Sequence, residues 1–132
     1  MSLSSFYNKV LQLVGEQLPA FHGPAPTLPT SGGKVNQCAV LWPTAGAPRY
    51  RTNSTGPADR ADAFTVICVG ATALDALAAA DKVRAALTGT IIHPGGAPLR
   101  ETGLGATPTA EPGTNPVRVS LPLQFTTISK EL

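Results

Sequence analysis

Two histidines, two cysteines and eight carboxylate side chains are what this sequence offers to acid–base, nucleophilic or metal chemistry. His22 and His93 lie among prolines and glycines, and no Ser, Cys or Asp stands near them at a spacing that would join a nucleophile to a base and an orienting group. The carboxylates of Asp59, Asp62, Asp75, Asp81, Glu101 and Glu111 are scattered, with no pair that periodicity would set on one face beside a pocket. No zinc site is expected, because neither histidine has close ligand partners. Cys38 and Cys68 each sit inside an apolar run and read as buried thiols, a disulfide between neighbouring strands being the alternative. Pro94, Gly95, Gly96 and Ala97 lack the Lys and Ser/Thr of a phosphate loop, and Gly103 and Gly105 lack the following helix of a dinucleotide fingerprint. The expectation is a protein without a catalytic centre, metal or cofactor.

The chain has 132 residues, enough for one hydrophobic core, and residues 1–132 read as a single domain. Charged residues make up only 14% of it, with 13 glycines and 13 prolines, so much of its surface must be neutral Ser, Thr, Ala and Pro. Such a surface suits packing against other subunits; a monomer with a bland surface is the other possibility. A net charge of +2 without a cluster of Lys and Arg does not make a nucleic-acid binder. Arg49, Arg51 and Arg60 come closest, in a Gly/Pro-rich stretch. No apolar run approaches the roughly 18 residues of a membrane span, and no secretion signal is apparent, so a protein that folds where it is made is expected.

The elements that position these residues follow from periodicity. Over residues 4–18, Phe6, Val10, Leu13 and Val14 recur at helical spacing, with Ser4 or Ser5 as N-cap, Pro19 as a stop, and Tyr7 and Leu11 widening the apolar face. Residues 19–33 are too rich in Pro and Gly for a helix or an inner strand and read as a stiff strap. Strands are expected over 35–42 and 61–69, both covered on two sides, with residues 43–60 a long loop that serves a partner or, alternatively, a disordered insertion. Thr72 and Asp75 open a second helix running to about residue 88, its repeat carried by Ala73, Ala76, Leu77, Ala80, Val83, Arg84 and Leu87, with Gly89 as the left-handed residue that ends it. Residues 99–102 form a candidate short strand. A closing strand from residue 117 alternates Val117, Val119, Leu121, Leu123 and Phe125 with polar residues, and Pro122 places it at an edge or a bulge. The class is α+β: a small mixed or antiparallel sheet of about four strands with two helices packed on one face.

Taken in order, these elements resemble the tail terminator proteins of long-tailed phages with non-contractile tails, especially those of actinobacteria. The resemblance covers most of the chain. It rests on the leading helix, the strand ending in Leu41, Trp42 and Pro43, and the loop with Pro48, Arg49 and Tyr50. Asp59 and Arg60 follow, before the strand Phe64, Thr65, Val66, Ile67, Cys68, Val69 and Gly70. The helix with Ala79, Asp81, Lys82, Val83, Arg84 and Leu87 and the closing Leu121, Pro122, Leu123, Gln124 and Phe125 complete it.

The resemblance implies a structural virion protein with no catalytic residues to carry over. Its implied form is a homo-hexameric ring at the head–tail junction, assembled in the host cytoplasm. Such a ring caps the tail tube protein, ends polymerisation and meets a neck or head-completion protein, while DNA passes through without sequence-specific binding. Interface candidates are Arg49, Tyr50, Arg51, Arg60 and Arg84, the last on the flank of the second helix. The alternatives are another neck or tail-completion protein, or a non-viral α+β module that binds a small molecule.

Overall fold

In chain order the elements are α1 (Leu3–Gly15), β1 (Ala20–His22), β2 (Thr30–Ser31), β3 (Lys34–Val35), β4 (Cys38–Trp42), β5 (Ala47–Tyr50), β6 (Pro57–Gly70), α2 (Ala73–Leu87), β7 (Arg100–Thr102), β8 (Thr109–Ala110) and β9 (Val119–Lys130). They come from a computed structural model that describes residues 2–24, 28–45, 47–50, 57–103, 105–113 and 116–130, and the side chains of these except at 47–50, 57–60, 129 and 130.

The alternation in β6 and β9 makes these two strands the spine. They pair antiparallel from Asp59 opposite Lys130 to Gly70 opposite Val119. On one face Phe64, Val66 and Cys68 meet Leu121, Leu123 and Phe125, and this face takes the buried sides of both helices: Phe6, Tyr7, Val10 and Val14 of α1 and Ala76, Ala79, Ala80, Val83 and Leu87 of α2. Phe64 stacks on Phe125 with centroids 5.8 Å apart, and the rings of Phe6 and Tyr7 meet Phe64 edge-on at 6.1 and 5.8 Å. Truncating any of these phenylalanines costs about 3–5 kcal/mol. The small alanines of α2 let it approach closely. Gly70 is needed where α2 begins, since a Cβ there would lie 2.7 Å from the backbone nitrogen of Ala76.

The α+β class with both helices on one sheet face holds, but the sheet is larger than the expected four strands. Among the described residues it has seven, along the path β1-β4-β6-β9-β7, with β5 added to β6 and β8 to β9. β1 pairs parallel to β4 and makes the sheet mixed; the pairs β4–β6, β5–β6, β6–β9, β7–β9 and β8–β9 are antiparallel. The added strands have two to four residues, too few to show a period of two.

Other boundaries move for local reasons. α1 starts one turn early because Ser2, not Ser4 or Ser5, caps it, accepting from the Ser5 N–H at 3.1 Å. The strap carries an outer strand, β1, and one arm of the small β2–β3 hairpin. The strand expected over 35–42 breaks at Asn36 and Gln37, leaving Val35 in that hairpin and Cys38 in the main sheet. α2 keeps its expected ends: Thr72 accepts from the Asp75 N–H at 3.2 Å, and Gly89 has φ of +79°. Pro122 lies inside the strand order yet on a locally free edge, because β8 pairs only with Val119 and Ser120 and β7 only with Gln124, Phe125 and Thr126.

Candidate functional site

Within the stretch expected as a long loop, residues 47–50 and 57–60 are paired strands, and residues 51–56 lie outside the described residues. Ala47 pairs with Ala61, Pro48 with Arg60 and Arg49 with Asp59, and after a register shift Tyr50 meets Pro57. β4 and β5 therefore lie end to end along the same edge of β6, β4 from Thr65 to Val69 and β5 from Pro57 to Ala61. The other edge of this part of β6 is held by β9 as far as Lys130. A three-stranded arm thus continues the sheet past Phe64, the last large core side chain on β6 in that direction. A free edge strand invites pairing with another chain, and a proline such as Pro48 limits where it can happen.

The base of the arm is clamped to α1. Tyr7 is buried, and its hydroxyl donates to the Thr44 carbonyl at 2.9 Å and accepts from the Thr44 N–H at 3.2 Å. The Thr44 hydroxyl donates to the carbonyl of Ala63. On the other side, Thr126 donates to the Asp62 carbonyl at 3.0 Å, and Thr127 donates to the Ala97 carbonyl at 2.6 Å. Asp62 is fully buried, in register with Thr127 on the helix side of the sheet.

Of the five interface candidates, Arg49, Tyr50 and Arg60 take backbone positions in the arm, with side chains outside the described residues. Arg51 lies wholly outside them. Arg84 is apart from the arm, in a two-point ion pair with Glu101 of β7: Nε to Oε1 at 2.6 Å and Nη2 to Oε2 at 3.0 Å. That hydrogen bonding holds the Glu101 carboxyl below the usual carboxylate range and raises Arg84 further. Both ends of Arg84's fork are therefore engaged within the subunit.

Two further surfaces, on α2 and on the sheet, are uncovered. On α2, Ala73 and Leu77, two members of the helical repeat, are exposed. Leu74 and Leu77 are 77% and 41% exposed, and at 3.6 residues per turn they share an outward stripe with Ala78, Asp81 and Ala85. The second surface is the sheet face away from the helices. Leu28 and Val35 cover it only around Cys38, Val40 and Val69. Ala63, Thr65 and Ile67 of β6, Pro122, Gln124 and Thr126 of β9 and the rim residue Trp42 stay at least partly open. Trp42 lies against Gly23, where any side chain would strike its ring.

The cysteines fall on adjacent strands but opposite faces: Cys68 in the core beneath the helices, Cys38 beneath Leu28 and Val35. A disulfide between them is ruled out by this placement, and both thiols are free. Burial pushes Cys38 up to about 11 and Cys68 up to about 12, so neither is a nucleophile near neutral pH.

Among the described residues no group of three His, Cys, Asp or Glu could hold a metal ion, and no helix is long and apolar enough to cross a membrane. The largest concavity described is an open groove of about 660 Å³ between residues 97–100 and the end of β9, lined by Ala61, Arg100, Thr126 and Ile128 among others. A second, of about 410 Å³, lies between α1 and His22, Pro43 and Thr44. No protein-family model matches this chain, and no curated protein matches it.

Proposed function

We propose that this chain is the ring-forming subunit of a phage tail terminator, a structural virion protein at the head–tail junction without catalytic activity or cofactor. The observation that carries the reading is the order of elements: a leading helix, a central strand closing on Trp42 and Pro43, a long excursion before β6, then α2 and a long closing strand. In this role the subunit assembles with copies of itself, six in the resemblance, on the last ring of tail tube protein. Polymerisation stops there, and the opposite surface meets a neck or head-completion protein. DNA passes through the ring without base-specific contact. The hairpin arm supports the reading, since it extends the sheet beyond the core and carries Arg49, Tyr50 and Arg60. So does a surface with few charges.

A second reading has one observation in its favour. The groove beside β9 falls within the usual volume range of ligand sites, about 300–1,000 Å³, and holds one cation, Arg100. A small-molecule-binding module would remain monomeric and melt higher with its ligand. Imaging the purified protein separates the two: rings support the terminator, and a monomer stabilised by a small anionic ligand supports the module.

A further inference from the structure

On its outward side α2 sets two exposed leucines, Leu74 and Leu77, beside the charged Asp81 and Lys82. Its inner positions, Ala76, Ala79, Ala80, Val83 and Leu87, are buried in the core. Its outer stripe is Leu74, Leu77, Ala78 and Ala85, with Asp81 as the one charge. The neighbouring cations do not make this stripe polar: Lys82 reaches aside to Gln37 at 2.7 Å, and Arg84 reaches to Glu101 on the other flank. Large apolar side chains side by side on an exposed helix face mark a candidate contact surface.

The far face of the sheet has the complementary character. From Ala61 to Val69 on β6 and from Ser120 to Ile128 on β9, the side chains on that face are all neutral. Among the residues whose side chains are described, Arg118 and Arg100 border it. Arg118 is tied to Glu111 at 2.5 Å, whereas Arg100, in register with Thr126, has no carboxylate partner among the described residues. The helix stripe thus offers leucines around the Asp81 carboxylate, whose neighbour Arg84 is committed to Glu101, and the sheet offers an uncharged surface beside Arg100.

The two surfaces lie on opposite sides of a two-layer domain, so one molecule cannot bring its own together, but a second copy can. We propose that the outer stripe of α2 docks on the uncovered sheet face of a neighbouring copy of this chain, with Asp81 meeting Arg100. The contact is head-to-tail: each copy uses its helix on one neighbour and its sheet on the other, which yields a ring if the rotation closes and a filament if it does not. The proposal deepens the terminator reading by naming the interface, and it rests on that reading only for closure of the ring.

Charge reversal in the full chain, followed by sedimentation velocity, tests the contact. Asp81→Arg and Arg100→Asp should each raise the concentration at half-assembly by roughly tenfold or more, the usual scale for a close charge pair across an interface. The double variant should return to within about threefold of wild type, as expected when one pair carries the effect. Both positions are exposed, so melting temperatures should stay close to wild type. A second measurement does not depend on charge: Leu77→Cys mixed with Thr65→Cys under mild oxidation should give a covalent two-chain product that neither variant gives alone. The native thiols do not compete, being buried with raised pKa values. If wild type assembles but the reversals have no effect, or the double variant is not rescued, and no cross-link forms, the contact is wrong while the terminator reading stands. Rescue and cross-linking within an open chain would uphold the contact and overturn the ring. Wild type that stays monomeric at every concentration, also with tail tube protein present, would overturn both.

Discussion

The hydroxyl of Tyr7 makes two hydrogen bonds to a single residue, donating to the carbonyl of Thr44 and accepting from its N–H. Thr44 lies between β4 and β5, where the chain leaves the helix-covered part of the sheet for the arm. One phenol thus ties the base of the arm to α1, while its ring packs edge-on against Phe6 and Phe64 with centroids at 5.0 and 5.8 Å.

Tyr7→Phe keeps the ring and removes both hydrogen bonds, leaving the Thr44 backbone groups to find other partners. The expected cost is about 1–3 kcal/mol in denaturant unfolding. Amide exchange should quicken in β5 while α2 keeps its protection. Equal protection of β5 in both proteins would mean that Tyr7 does not hold the arm.

The Arg84–Glu101 pair gives a small pH dependence with a definite sign. Because the Glu101 carboxyl is lowered in the folded chain, its contribution is fully present above the unfolded Glu value of about 4.3 and is lost as pH falls through the lower folded value. Both side chains are substantially exposed, so solvent screening keeps the contribution below about 1 kcal/mol. Stability measured from pH 6 down to pH 3 should fall less steeply in Glu101→Gln than in wild type. Identical slopes would show that the pair contributes nothing to folding.

Arg84→Glu sets two carboxylates against each other at the flank of α2. A loss of assembly with only a small drop in melting temperature is expected, since this flank borders the Leu74 and Leu77 stripe. A variant that assembles as wild type does would remove Arg84 from the interface.

Replacing Arg49, Tyr50 and Arg51 together with Ala tests the arm. These changes leave the β5–β6 backbone ladder in place, so the melting temperature should move little while ring formation or tail joining declines. Unfolding of the triple variant would mean that the arm packs into the core, and unchanged assembly would mean that it serves no partner.

What was legible in the sequence was what local chemistry decides. Thr72 and Gly89 mark the ends of α2 through a side-chain cap and a left-handed residue, and both act as expected. The alternation through Phe64, Val66 and Cys68 marks the central strand because one face is buried under helices. What was not legible depends on partners distant in the chain. β5 contains Pro48 and only four residues, and it exists because β6 runs past the core and offers an edge. β1 sits between Pro19 and Gly23, and its parallel pairing with β4 is set by where α1 ends. Leu77 belongs to the helical repeat of α2 yet lies on its outer side. Periodicity cannot separate the side of a helix that meets its own sheet from the side that meets another molecule.

The central claim is that copies of this chain close into a ring. Native mass spectrometry of the purified full chain over a range of concentrations, with negative-stain imaging of the same sample, tests it most directly. The account predicts a single closed species of six copies with an open centre, forming alone or on addition of tail tube protein. A strictly monomeric mass at high concentration, unchanged when tube protein is added, would contradict it.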